Sequence, residues 1–189
     1  VLALQGAFAE HEKVLEQLGA ECIELRQARN LSEPYDALVL PGGESTVQGK
    51  LLKELGMFDI MKSQIENGMP VLATCAGAIL LAETIDGQMK GQPEQYFGTI
   101  PMCIKRNAYG RQLGSFHAEA QVAGIGTVPM TFIRAPYIAS VEDGVEVLAV
   151  VEERIVGVKY KSQMAFSFHP ELDPDVRIHK AFLAMIKKV

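Results

Sequence analysis

The chain has 189 residues, 48% of them hydrophobic and 22% charged, with a formal net charge of −5. That length buries most of the unfolded surface in one α/β unit without help from disulfides or metals, and the negative balance excludes the basic footprint of nucleic-acid or anionic-membrane binding. Cys22, Cys75 and Cys103 are widely separated and form no CxxC pair, which excludes a disulfide framework and a zinc site and points to a reducing, cytoplasmic setting.

Residues 1–4 form an apolar run, followed by an amphipathic stretch over 7–18 and a second apolar run over 22–25, a β-α-β rhythm. The opening VLALQG has neither the basic start nor the cleavage site of a signal peptide, no apolar run is of membrane-spanning length, and the missing Met suggests that a residue or more is absent ahead of the first strand. Residues 37–40 read as a strand, 45–55 and 58–67 as helices, and a strand over 71–74 runs directly into a helix over 76–84. Their near-continuous Val, Leu and Ala suits a parallel sheet buried on both faces. Residues 86–95 are polar and rich in Gly, Pro and Gln, and beyond them strands separated by turns are predicted over 98–105, 115–122, 130–133, 145–151, 155–160 and 164–168. This half reads as antiparallel or mixed. The last segment, 173–189, spaces Val176, Phe182, Leu183 and Ile186 as one face of a helix.

Cys75 lies where the strand over 71–74 meets the following helix, with Ala73, Ala76 and Gly77 around it. A nucleophile elbow needs such small neighbours, because its backbone is strained and the chain passes close to itself. The thiol then sits at the first turn of a helix, whose free N–H groups favour negative charge. The competing reading is a small buried hydrophobe, and it holds for Cys22 and Cys103, which lie inside strand-like runs without a turn or a collar of small residues.

Phe166-Ser-Phe-His-Pro-Glu-Leu ends an apolar run with His169 and Glu171 two residues apart. In an extended i, i+2 arrangement both side chains leave one face, so Glu171 could hold one ring nitrogen of His169 while the other faces the cysteine. Pro170 restricts that geometry, although a His-Pro pair is also an ordinary turn. His11 and His179 read as solvated helix residues, and His117 as a strand residue with polar neighbours.

Off the third strand runs Pro41-Gly-Gly-Glu-Ser-Thr. Two glycines let backbone N–H groups face a cavity, so the Gly43 and Ala76 amides could share a developing oxyanion, and each such donor is worth about 2.7–4 kcal/mol. The plain alternative is a strand-turn-helix with Ser45 as N-cap. Arg106, Arg111 and Arg134 read first as surface charges, yet a guanidinium fork suits an α-carboxylate, which keeps Arg106 and Arg134 as substrate-site candidates.

These residues resemble the class I, triad-type glutamine amidotransferases. The finer pattern LQGAxxEH, LPGGEST, TCAG, RNxYGRQxxSF, FIRAP and SFHPEL, running from Leu4 to Leu172, is similar to the glutaminase subunits of pyridoxal 5′-phosphate synthases. The resemblance implies a single flavodoxin-like domain over 1–189, a three-layer sandwich with a mostly parallel central sheet and antiparallel strands in the second half. It implies a Cys75, His169, Glu171 triad and glutamine contacts at Gly43, Glu44, Ser45, Arg106, Ile133 and Arg134. It implies a barrel-type synthase subunit as partner that receives ammonia, with no metal or cofactor needed for the hydrolysis. The Gln5-Gly6-Ala7 turn, expected at the same sheet edge as Cys75, is the candidate relay from such a partner. One departure is Ala73, where the family usually has Gly. Two rival functions stay open at this point: another Cys hydrolase on the same scaffold, such as a γ-glutamyl hydrolase or peptidase-like enzyme, and a non-catalytic binding module.

Overall fold

The computed structural model describes residues 1–87, 96–106 and 114–186. Three short strands, β1 (Leu38–Leu40), β2 (Val71–Thr74) and β10 (Gln163–Phe166), form its centre. β2 lies between the other two and is parallel to both, with Leu40 beside Ala73 and Thr74 beside Phe166. All three strands are buried throughout, as expected for parallel strands covered on both faces.

Alternation along these strands sends side chains into two separate cores. Leu38, Leu40, Val71, Ala73 and Ala165 join one cluster, which α2 (Ser45–Glu54), α3 (Phe58–Glu66) and α4 (Ala76–Leu81) cover with Leu52, Phe58, Met61, Ile65 and Leu80. Val39, Leu72, Met164 and Phe166 join the other, covered by Leu15 of α1 (Phe8–Gln17) and by Ile178 and Phe182 of α5 (Arg177–Leu183). Helices, sheet, helices: this is the three-layer, flavodoxin-like arrangement.

The segments 1–4 and 22–25 extend the parallel block, but only through one bridge between Leu2 and Leu25 and a bond from Leu2 N–H to the Val39 carbonyl at 2.9 Å. On the other side of β10 the sheet turns antiparallel through β9 (Arg154–Tyr160), β7 (Tyr137–Val141) and β4 (Ile100–Lys105). At its far edge β3 (Ala82–Ile85) pairs parallel with β4. The long hairpin of β5 (Ser115–Val122) and β6 (Gly126–Ile133) joins through β8 (Glu146–Val151).

Three local expectations are corrected. The helix after Cys75 ends at Leu81, because the backbone of Ala82 is already extended and β-branched Thr84 and Ile85 suit the strand that follows. The strand β7 escapes the hydrophobic pattern, since Ile138 is its one fully buried residue. The last helix begins at Arg177, after a 3-10 turn over Pro170–Leu172. Among the described residues, no helix is long and apolar enough to cross a membrane.

Candidate active site

The carboxyl ends of β1, β2 and β10 lie side by side, and each delivers one part of a site. β2 delivers Cys75 as the N-cap of α4, with φ of 47° and ψ of −103°. A positive φ is rare for a non-glycine residue and is a backbone strain of the kind found at functional sites. The Cys75 N–H bonds to the Phe166 carbonyl at 2.8 Å, which extends the β2–β10 ladder by one residue and ties the strained turn to the sheet. Small neighbours are required: a Cβ on Gly77 would fall on the Leu40 carbonyl.

β10 delivers His169. Its N–H bonds to the Thr131 carbonyl at 2.8 Å, and Asp173 holds Thr131 in turn, through the Thr131 amide at 3.1 Å and its hydroxyl at 3.0 Å. The backbone then closes as a 3-10 turn over Pro170–Leu172. An extended i, i+2 alternation therefore does not unite the pair as the sequence suggested; the turn does. Glu171 folds back so that its Oε1 accepts from His169 Nδ1 at 2.6 Å, and the ring shares its cleft with Cys75. Burial pulls the His169 pKa down, but the hydrogen bonds and charges of Cys75 and Glu171 outweigh it and push the ring up to about 10. Glu171 is held below the usual carboxylate range against its burial, by His11 and by the hydrogen bond from His169.

β1 delivers the glycine turn. A Cβ on Gly42 would strike the His169 ring, and one on Gly43 would strike the Gln5 and Gln48 amides, so both positions need glycine for space. The Gln5-Gly6-Ala7 turn is laced to this loop. Ala7 N–H bonds to the Gly42 carbonyl at 3.0 Å and Glu44 N–H to Gln5 Oε1 at 2.7 Å. Gln48, fully buried, donates to the Gln5 carbonyl at 2.9 Å and the Pro41 carbonyl at 3.2 Å.

One cleft of about 440 Å³ collects Gln5, Gly43, Glu44, Ser45, Cys75, Arg106, Ile133, Arg134 and His169 among its lining. Glu171 stands behind His169, and Ala76 opens α4 beside the cysteine. The N-cap of α2 is Glu44, whose Oε2 accepts from Val47 N–H at 3.1 Å while its Oε1 accepts from Arg106 at 3.0 Å. Ser45 is therefore not the cap; its buried Oγ has no hydrogen-bond partner among the described residues. Arg134 has a positive φ of 43° and, through its N–H, bonds to the Gly114 carbonyl at 2.7 Å. Arg111, the rest of the RNxYGRQ motif after Arg106, and the Gln88 to Gln95 stretch lie outside the described residues.

A second cleft, of about 500 Å³, is lined by Val1, Leu15, Cys22, Tyr35 and Phe182. Among the described residues its lining contains no histidine, and burial pushes the Cys22 thiol up, so these residues offer no activated nucleophile.

Comparison with known proteins now adds to the geometry. The family model of the SNO glutamine amidotransferases matches residues 1–188. The chain belongs to that family. It is 59% identical over 186 residues to the pyridoxal 5′-phosphate synthase subunit PdxT of Desulfitobacterium hafniense, covering 98% of this chain and 92% of that protein. It is 51% identical over 191 residues to the PdxT of Streptococcus pneumoniae serotype 2, covering 100% and 97%. A crystal structure of a glutamine amidotransferase superposes with a TM-score of 0.91 at 42% identity, over 98% of this chain and 96% of that one. PurLQS from Thermotoga maritima, at 15% identity and a TM-score of 0.71 over 99% and 96% of the two chains, shares the fold. The fold thus extends well beyond the family's own sequence pattern.

Two histidines lie elsewhere than their polarity suggests. His11 and His179 are fully buried and not solvated, His11 against Glu171 and His179 against His11. A signal existed for both. His11 shares a helix face with buried Val14 and Leu15, and His179 shares one with Phe182, each at the i, i+3 spacing of a core position.

Proposed function

We propose that this chain is the glutaminase subunit of a pyridoxal 5′-phosphate synthase, hydrolysing L-glutamine to L-glutamate and ammonia at Cys75 and passing the ammonia to a barrel-type synthase subunit. The observation that carries the reading is the convergence of Cys75, His169 and the Gly42-Gly43 turn at the ends of three adjacent parallel strands, facing one cleft. Family membership and the names of the relatives support glutamine as the substrate and a pyridoxal 5′-phosphate synthase as the assembly it serves.

The Cys75 sulfur attacks the carboxamide carbon of glutamine, and the Gly43 and Ala76 amides take up the charge that develops on oxygen. His169, held protonated between Cys75 and Glu171, gives its proton to the departing nitrogen, and ammonia leaves a glutamyl thioester. The ring, now neutral, takes a proton from water, hydroxide attacks the thioester, and glutamate departs as the sulfur regains its starting state. Glu171 fixes the Nδ1–H tautomer throughout. Glu44, Ser45, Arg106, Ile133 and Arg134 bind the amino-acid end of glutamine, the guanidinium groups suiting its α-carboxylate.

Ammonia released into neutral water becomes ammonium, which is not a nucleophile, so transfer through a closed path is the economical arrangement. The Gln5-Gly6-Ala7 turn is the contact through which the partner acts. It lines the cleft and accepts bonds from Glu44 and Gln48, so a shift there moves the Gly43 amide. Glutamate release is to be measured with and without the synthase subunit, for the wild type and for Cys75→Ala. The reading requires that the synthase raise the wild-type rate and that Cys75→Ala abolish it. Undiminished turnover by Cys75→Ala ends the catalytic assignment.

A further inference from the structure

Glu171 uses one carboxylate oxygen on His169. The other, Oε2, is buried without a hydrogen bond of ordinary geometry, and the group facing it is His11 Nε2, 3.3 Å away. The same Nε2 lies 3.0 Å from Thr74 Oγ1, which accepts the Gly42 N–H at 3.1 Å. Across the ring, His11 Nδ1 lies 3.0 Å from His179 Nε2. One imidazole from α1 therefore touches the carboxylate behind the base and the residue preceding the nucleophile, and reaches the glycine turn through Thr74.

The protons in this chain of contacts have one consistent arrangement. If Thr74 donated to His11 Nε2, a nitrogen lone pair would face a buried carboxylate oxygen, and Glu171 would have no donor on that side. With the proton on Nε2, His11 offers an N–H to the space between Glu171 Oε2 and Thr74 Oγ1. Its Nδ1 must then accept from His179 Nε2–H, which leaves His179 Nδ1 as a bare acceptor, and that atom has no partner among the described residues. Burial lowers the pKa of both rings, so each is neutral near pH 7 and presents an N–H dipole. The titratable groups facing Glu171 are His169 and His11. Those acting on His11 are Glu171, His169, Glu10 and the chain amino terminus, and His179 lies against its Nδ1.

We propose that His11, its tautomer locked by His179, is a positioning residue of the glutaminase reaction: it holds Glu171 ionised and aimed at His169, and couples that carboxylate to the Thr74-Cys75 turn. The proposal rests on the triad reading given above. The distinction from a purely structural buried pair is that the brace sets the state of His169 in the folded enzyme.

The test uses the full chain in complex with its synthase partner, with glutamate formation as the assay and the His169 ring titration followed by NMR. His11→Leu lowers kcat 10- to 100-fold with KM for glutamine within threefold, and moves the His169 titration at least one pH unit lower. Gln places an amide nitrogen near the Nε2 position and Asn does not reach it, so His11→Gln keeps at least a third of the wild-type kcat while His11→Asn behaves like His11→Leu. A folded His11→Leu enzyme with kcat and His169 titration unchanged overturns the proposal. If His11→Leu does not fold, equal activity of the Gln and Asn variants overturns it instead. Cys75→Ala is assayed beside them. Loss of its activity together with indifferent His11 variants removes the brace alone, whereas an active Cys75→Ala removes the triad reading beneath it.

Discussion

Gly42 and His169 are packed so closely that a methyl group on the glycine would overlap the imidazole ring. The strand end that carries the proposed oxyanion turn is thus also one wall of the slot that holds the His169 ring. Gly42→Ala displaces His169 and lowers kcat at least 100-fold. Gly43→Ala leaves the ring in place but pushes the turn off the Gln5 and Gln48 amides, and the loss of one oxyanion donor lowers kcat by roughly 10²–10³. Steady-state kinetics of the two variants, with His169 NMR shifts to separate the causes, checks both.

Cys75 is one of the groups that keep the His169 ring protonated. In Cys75→Ala that contribution disappears, so the His169 titration midpoint falls from about 10 toward the ordinary 6.5. Ring-carbon NMR against pH measures it, and an unchanged midpoint would show that Glu171 alone sets the value.

A ring whose pKa is raised by folding stabilises the fold fully below its unfolded value of about 6.5. That stabilisation is lost as pH rises through about 10. His179 acts with the opposite sign. Its pKa is lowered to about 4, first by burial and then by the charge of His11, so its contribution is complete above about 6.5 and declines as pH falls toward 4, by up to roughly 3 kcal/mol. Thermal melts from pH 8 to 4 show a steeper decline for the wild type than for His179→Gln.

Glu44 caps α2 and grips Arg106 with its two oxygens. Replacing it by Ala removes the cap and costs about 1 kcal/mol of stability. Arg106→Ala breaks only an exposed pair, worth at most about 1 kcal/mol, so its melting temperature stays close to that of the wild type while KM for glutamine rises tenfold or more. Denaturant titration and Michaelis plots on both variants separate capping from substrate contact.

The strand over 71–74, the elbow and the α2 and α3 helices were legible because each is written in local chemistry: continuous apolar residues, small residues around Cys75, 3.6-residue spacing. The His169-Glu171 pairing was legible as a pair but not as a geometry, since a 3-10 turn and an extended end look alike in HPE. β7 was hidden because its pairing with β4 and β9, and not its own pattern, makes it a strand. The burial of His11 and His179 could be read only by weighing their helix faces above their polarity. Their meeting point is set by packing between segments 168 positions apart, and nothing within either helix encodes that contact.

β10 enters the sheet between β2 and β9, although about ninety residues separate it from β2 in the chain. On the ribosome, β2 and its cysteine therefore emerge long before the strand that completes their pairing. Until residue 166 has been made, β2 has an open edge; His169, the proposed base for Cys75, comes three residues later, and α5 must still follow to supply His179. Synthesis itself thus acts as a timer: a nascent chain exposes an unpaired strand edge that invites aggregation, yet it cannot begin hydrolysing glutamine before nearly all of its sequence exists.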